Sequence, residues 1–126
     1  MSGQFELGQA AEVSRSFSAN DVAGYSALGG HAVADESVPE PLIYALFSYL
    51  LGVELPGIGT NYLKQESRFV APAAVDDTLT ARVEITKLRL EKHLVDLETT
   101  CHAGDGTLVC DGRALVYVRD VGLERS

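Results

Sequence analysis

Apolar and polar residues change their spacing along this chain, and the changes mark its elements. Glu12-Val13-Ser14-Arg15-Ser16-Phe17 alternates with period two, which predicts a strand. Ser18 and Asp21 have the spacing of a capping box with Asp in the Glu/Gln place, predicting a short helix from Asn20 to about Leu28, ended by Gly29-Gly30. His31 to Pro39 is small and polar and reads as a loop. Pro39-Glu40-Pro41 opens the main helix, since a first-turn proline lacks only an N–H that would be unpaired there. From Leu42 to Leu51 that helix is apolar almost all round, with Gly52 as its C′ residue and Pro56 beyond. Four strand-like segments follow: a short one at Ser67 to Val70, then Thr78 to Leu88, Leu94 to Cys101 and Leu108 to Val118, the last three alternating. Asp105-Gly106 is the strongest hairpin signal, and a type I′ turn there sets Cys101 opposite Cys110.

One helix apolar on every side cannot be covered by a flat sheet. The sheet has to curve round it, which predicts an α+β fold: a long central helix wrapped by antiparallel strands. A ferredoxin-like layout would need two helices in βαβ units, and that alternation is missing. At 126 residues, with no repeat or linker, residues 1–126 are expected to form one domain.

Composition narrows the function. A hydrophobic share of 46% and a charged share of 22% are ordinary for a water-soluble protein, and no apolar stretch approaches a membrane span. The N-terminus lacks the pattern of a signal peptide, so a cytoplasmic protein is expected. A net charge of −8 argues against nucleic acid as a partner. Six basic residues gather in the C-terminal half (Arg68, Arg82, Lys87, Arg89, Lys92, Arg113), and they read first as a solvated sheet face. Cys101 and Cys110 read as small buried hydrophobes, and no His/Cys spacing suggests a metal. His93 and His102 fall out of phase with the inward face and are expected to be exposed.

The segment Leu55-Pro56-Gly57-Ile58-Gly59-Thr60-Asn61-Tyr62-Leu63-Lys64-Gln65 resembles the turn and strand after the central helix in R-specific enoyl-CoA hydratases, the MaoC-like branch of the hot-dog superfamily. The likeness continues through Phe69, Pro72 and Asp76-Asp77-Thr78-Leu79, then Ala81 to Ile85. It also covers Phe17, Asp21-Val22-Ala23 and Tyr25 to Leu28 at the front. It implies a hot-dog fold and reversible hydration of a trans-2-enoyl thioester, or dehydration of a 3-hydroxyacyl thioester. No cofactor is implied beyond the coenzyme A or carrier-protein pantetheine of the substrate. It also implies a homodimer with the substrate tunnel along its seam.

Such a reaction needs a base for water, an acid for the α-carbon and a donor for the thioester oxygen. The family supplies base and acid as an Asp and a His in the loop before the helix. Matched residue by residue, the Asp position falls on His31 and the His position on Glu36, with Asp35 beside it, so the usual dyad is altered. The helix-start pair falls on Pro39-Glu40, leaving the Glu40 N–H as oxyanion donor. Gly59 and Thr60 keep the turn with its supporting hydroxyl, and Tyr44 and Tyr62 bring hydroxyls towards the acyl pocket. The loop is shorter than in the family, implying a wider pocket for a bulky or branched acyl group. Two readings stay open: an enzyme whose His31 and Glu36 or Asp35 have exchanged roles, or a catalytically silent or repurposed protein. The latter would be an acyl-binding subunit, or a tailoring isomerase or cyclase using His31.

Overall fold

A computed structural model describes residues 5–27 and 37–121. The first alternating segment forms β1, Ala10–Arg15, starting and ending two residues earlier than its pattern suggested. Its edge pairs only with the later strand Leu79–Arg89, and Phe17 leaves the ladder to bury itself in the core. The capping box is real. The Asp21 N–H donates to Ser18 Oγ at 3.1 Å, and the Ser18 N–H donates to Asp21 Oδ2 at 2.8 Å. These bonds open α1, Ala19–Ala27, and hold the Asp21 carboxyl below its ordinary value.

The central helix α2 runs Glu40–Tyr49 and continues as a wider π-helical turn, Leu50–Glu54. Gly52 is therefore not the residue that stops it. The Leu55 N–H closes the last turn on the Leu50 carbonyl at 2.7 Å, and Leu50, Leu51 and Leu55 are all buried. Burying three leucines, each worth about 1.5–3 kcal/mol, outweighs a local preference to end at glycine.

The strands are β2 Asn61–Phe69, β3 Leu79–Arg89, β4 Leu94–His102 and β5 Leu108–Tyr117, and they form one antiparallel sheet in the order β1-β3-β4-β5-β2. β2 is much longer than the four residues its pattern suggested. It is an edge strand, exposed from Asn61 to Lys64 and bulged between Tyr62 and Lys64, so its alternation is blurred where it starts.

The β4–β5 hairpin also differs from expectation. The Gly106 N–H returns to the Ala103 carbonyl at 2.9 Å, and only Gly106 of the pair takes a positive φ, 89°. This is a three-residue loop rather than a type I′ turn. A bulge at Val109 takes up the displaced residue, so Cys101 still faces Cys110 and both are buried.

The core lies between α2 and the concave face of the sheet. Ile43, Leu46, Phe47, Leu50 and Leu51 meet Ala81, Val83 and Ile85 of β3, Val95 and Leu97 of β4, and Ala114 and Val116 of β5. The wrapping is incomplete. Ala45, Ser48, Tyr49 and Val53 form an outward stripe, with Tyr49 46% and Val53 47% exposed. The all-round apolar helix thus keeps one side uncovered by its own sheet.

Gly112 lets β5 lie close to β2. A Cβ there would overlap the Glu66 carbonyl and sit 2.8 Å from Ser67 Cα, and backbone cannot yield as a side chain can. Gly112→Ala is expected to cost about 1–3 kcal/mol or more, read as a lowered urea midpoint. An unchanged midpoint would show that the two strands can part at no cost.

Candidate functional site

A cavity of about 620 Å³ opens at the N-terminal end of α2, with Ser37, Val38, Glu40, Ile43, Phe69 and Val109 among its walls. The chain entering the helix is strapped in place here. The Val38 N–H donates to the Ala73 carbonyl at 2.7 Å, and Ser37 bridges to Ala74. The first amides of a helix have no intrahelical acceptor and carry its positive dipole end. Pro41 has no N–H, and the Leu42 N–H turns to the Pro39 carbonyl at 3.0 Å. Of these first three positions, the Glu40 N–H is the one left without a backbone acceptor among the described residues. The Glu40 carboxylate is exposed at the same rim, where its charge opposes any negative charge arriving there.

A second cavity, about 630 Å³, lies between α1 and α2, lined by Phe17, Leu42, Leu46 and Tyr49. Tyr25 lines both cavities. Neither Tyr25 nor Val109 stands out from sequence as a site residue. Tyr25 reads only as an apolar position of a short helix, and Val109 reaches the cavity through a bulge that periodicity does not announce.

His31, Asp35 and Glu36 lie outside the described residues. Glu40 and Tyr44 sit on α2, with the Tyr44 ring edge-on to Phe69 at 5.7 Å. Gly59 and Thr60 stand beyond the opposite end of the same helix, which with its final turn spans about 20 Å at roughly 1.5 Å per residue. Glu40 and Thr60 are therefore not brought together within one chain. The Thr60 hydroxyl donates to the Gly57 carbonyl at 2.6 Å, so its hydrogen is held by its own turn and its oxygen is left to accept. Gly59 abuts the chain's C-terminal segment, and a Cβ there would overlap the Asp120 carbonyl. The Tyr62 hydroxyl donates to Gln65 Oε1, and partial burial of this side chain, with Tyr44 nearby, pushes its pKa up to about 12.

The remaining candidates resolve simply. His93 and His102 are exposed as expected, His102 by its phase at the end of β4 but His93 because it lies in the turn before β4, with a φ of 58°. Arg68 pairs with Asp111 at 3.6 Å and Arg82 with Glu84 at 2.5 Å as partly exposed surface pairs, whereas the Arg89–Asp96 pair at 2.7 Å is mostly buried; all three guanidinium groups are matched by carboxylates. Among the described residues, no three metal-ligating side chains converge, and no helix is long and apolar enough to cross a membrane.

No family profile matches the chain. Individual proteins do. The (R)-specific enoyl-CoA hydratase of Aeromonas caviae is 37% identical over 92% of this chain and 98% of its own length. The chain belongs to the (R)-specific enoyl-CoA hydratase family. The solved structure of the (R)-hydratase from A. caviae involved in PHA biosynthesis superposes with a TM-score of 0.84, covering 90% of this chain and 97% of that one. The 3-hydroxybutyryl-CoA dehydratase of Methylorubrum extorquens is 31% identical over 90% of this chain and 80% of its own. The helix and curved sheet are thus a hot-dog fold.

Thr60→Val removes the hydroxyl bond but leaves the backbone Thr60 N–H bond to the Gly57 carbonyl at 3.1 Å, at an expected cost of about 1 kcal/mol, while Thr60→Ser should restore the hydroxyl bond. Thermal unfolding of the three proteins checks this, and equal midpoints would mean that the backbone bond alone holds the turn.

Proposed function

We propose that this protein is a cytoplasmic hydro-lyase that adds water reversibly across the double bond of a trans-2-enoyl thioester, giving the R-3-hydroxyacyl product. The observation that carries this reading is the apolar cavity at the α2 N-terminus, with the Glu40 N–H at its rim, in a chain whose relatives are named for that reaction. The thioester carbonyl would accept from the Glu40 N–H, and the helix dipole would favour the enolate-like oxygen as charge develops. His31 and Glu36, with Asp35 as the other carboxylate, are the base and acid. Ser37, which lines the cavity, follows Glu36 directly in the chain. One group takes a proton from water as its oxygen bonds to C3, and the other delivers a proton to C2. The reverse reaction restores both. The substrate brings its own pantetheine, as coenzyme A in the relatives' names, and the reaction draws on no further cofactor.

The working form is a homodimer. β2 is an unpaired sheet edge carrying exposed Tyr62 and Leu63. Such an edge is a template for another copy of itself. Antiparallel pairing of two β2 strands would set Gly59 and Thr60 of one copy near the Phe69 end of the other, and hence near its Glu40 cavity. That supplies the meeting of Thr60 and Glu40 that one chain does not make.

A silent acyl-binding role is favoured by one feature, the Glu40 carboxylate at the oxyanion position. Hydration of crotonyl-CoA separates the two. Activity in wild type, falling at least about 100-fold in His31→Ala and in Glu36→Ala or Asp35→Ala, supports the enzyme. No activity in wild type supports binding alone, and activity indifferent to all three changes removes these residues from the site. For the dimer, light scattering should give twice the chain mass for wild type and a shift to monomer for Leu63→Lys. A monomeric wild type would refute the composite site.

A further inference from the structure

Two thiols face each other on neighbouring strands of the sheet. Cys101 of β4 and Cys110 of β5 are direct partners in the antiparallel ladder, and both are fully buried in the core. Their side chains interact. A hydrogen bond from the Cys110 thiol holds the Cys101 thiol below its ordinary range, and the same contact, with burial, pushes that of Cys110 up. Cys101 is therefore the readier of the two to become a thiolate, the form that reacts with oxidants. Facing Cβ atoms of an antiparallel pair stand about 4.5–5.5 Å apart, and a disulfide needs about 3.5–4.5 Å. A small local approach of β4 and β5 closes that gap, and the register shift beside this pair already interrupts the ladder there.

The pair is tied to the first cavity. Cys110 faces Phe69 across the β2–β5 ladder and follows Val109, and Phe69 and Val109 are both cavity walls. The Val109 carbonyl accepts from the Val70 N–H at 2.8 Å and from the Ala71 N–H at 3.3 Å. Two residues on, the Ala73 carbonyl holds the Val38 N–H, just ahead of α2. Movement at Cys110 thus reaches the helix N-terminus through one short run of backbone bonds. The Glu40 carboxylate is near enough to add to the upward push on the Cys110 thiol, after Cys101 and burial.

We propose that Cys101 and Cys110 form a reversible disulfide on exposure to hydrogen peroxide, and that this bond reshapes the cavity at the α2 N-terminus. The Cys101 thiolate attacks one peroxide oxygen. The O–O bond breaks, hydroxide leaves with the proton that Cys101 released, and Cys101 becomes a sulfenic acid. The Cys110 sulfur then attacks the Cys101 sulfur. An S–S bond forms as the S–O bond breaks, and the Cys110 proton departs with the hydroxide as water. Two thiols are oxidised, and one peroxide is reduced to two waters. Burial of both sulfurs selects so small an oxidant. The disulfide does not depend on the enoyl-thioester reading, whereas its effect on turnover rests on it.

The test treats native protein with hydrogen peroxide and then reads mass and peptide map. Wild type should lose two hydrogen atoms, show a peptide joining Cys101 to Cys110, and return to its starting mass with dithiothreitol. Cys101→Ala and Cys110→Ala, each checked for folding by circular dichroism, should form no such bond. Free thiols after treatment, sulfinic acids in place of the cross-link, or a bond between two chains overturns the proposal. On crotonyl-CoA, oxidised wild type should lose at least about ten-fold in kcat/KM, recovered on reduction, while treated variants keep their untreated values. A cross-linked protein with the reduced protein's kcat/KM overturns the link to the cavity. In a protein that hydrates nothing the hydratase reading falls, and calorimetric binding of butyryl-CoA to the two redox forms decides instead. Weaker binding to the oxidised form supports the link, and equal binding overturns it.

Discussion

Everything in this molecule depends on the burial of α2 against the concave face of the sheet. Ile43, Phe47, Leu50 and Leu51 are each at most 1% exposed, and they meet equally buried Leu79, Ala81, Val83 and Ile85 of β3. At about 1.5–3 kcal/mol per large side chain, this contact dominates the favourable side of folding. It forces the sheet to curve, carries the helix past Gly52 to bury Leu55, and fixes where the helix begins. The cavity, the strap at Val38 and the position of the Glu40 amide all follow from that placement.

The same contact divides the site. A helix seated along the sheet puts its N-terminal amides at one end and the Gly59-Thr60 turn at the other. Glu40 and Thr60 are thus held apart in one chain, and the edge of β2 is left unpaired. Incomplete wrapping and divided site share a cause: one five-stranded sheet covers one side of one helix.

Much of the fold was legible in the chain because burial imposes period. β3, β4 and β5 each have an inward face of Val, Ile, Leu, Ala and Cys, and their alternation marks them. The capping box at Ser18 and Asp21 was legible because two short side chains at a fixed spacing do one job. β2 was not, since an exposed and bulged edge loses its alternation from Asn61 to Lys64. The hairpin turn was misread because Asp105-Gly106 serves a three-residue loop as well as a two-residue one, and the compensating bulge at Val109 leaves no trace in period. The helix start at Glu40 was legible through its flanking prolines. The hydrogen bond from Gln65 Nε2 to Thr99 Oγ1 was not, because it joins residues 34 apart in sequence. The roles of His31, Asp35 and Glu36 rest on sequence correspondence.

The central claim is that the α2 N-terminus and the loop before it direct water to one face of an enoyl thioester. The most direct measurement is the configuration of the product formed from crotonyl-CoA in deuterium oxide, read by proton NMR and chiral analysis after hydrolysis. The expected product is (R)-3-hydroxybutyryl-CoA carrying one deuterium at C2. The S product, or release of free coenzyme A without hydration, would contradict it.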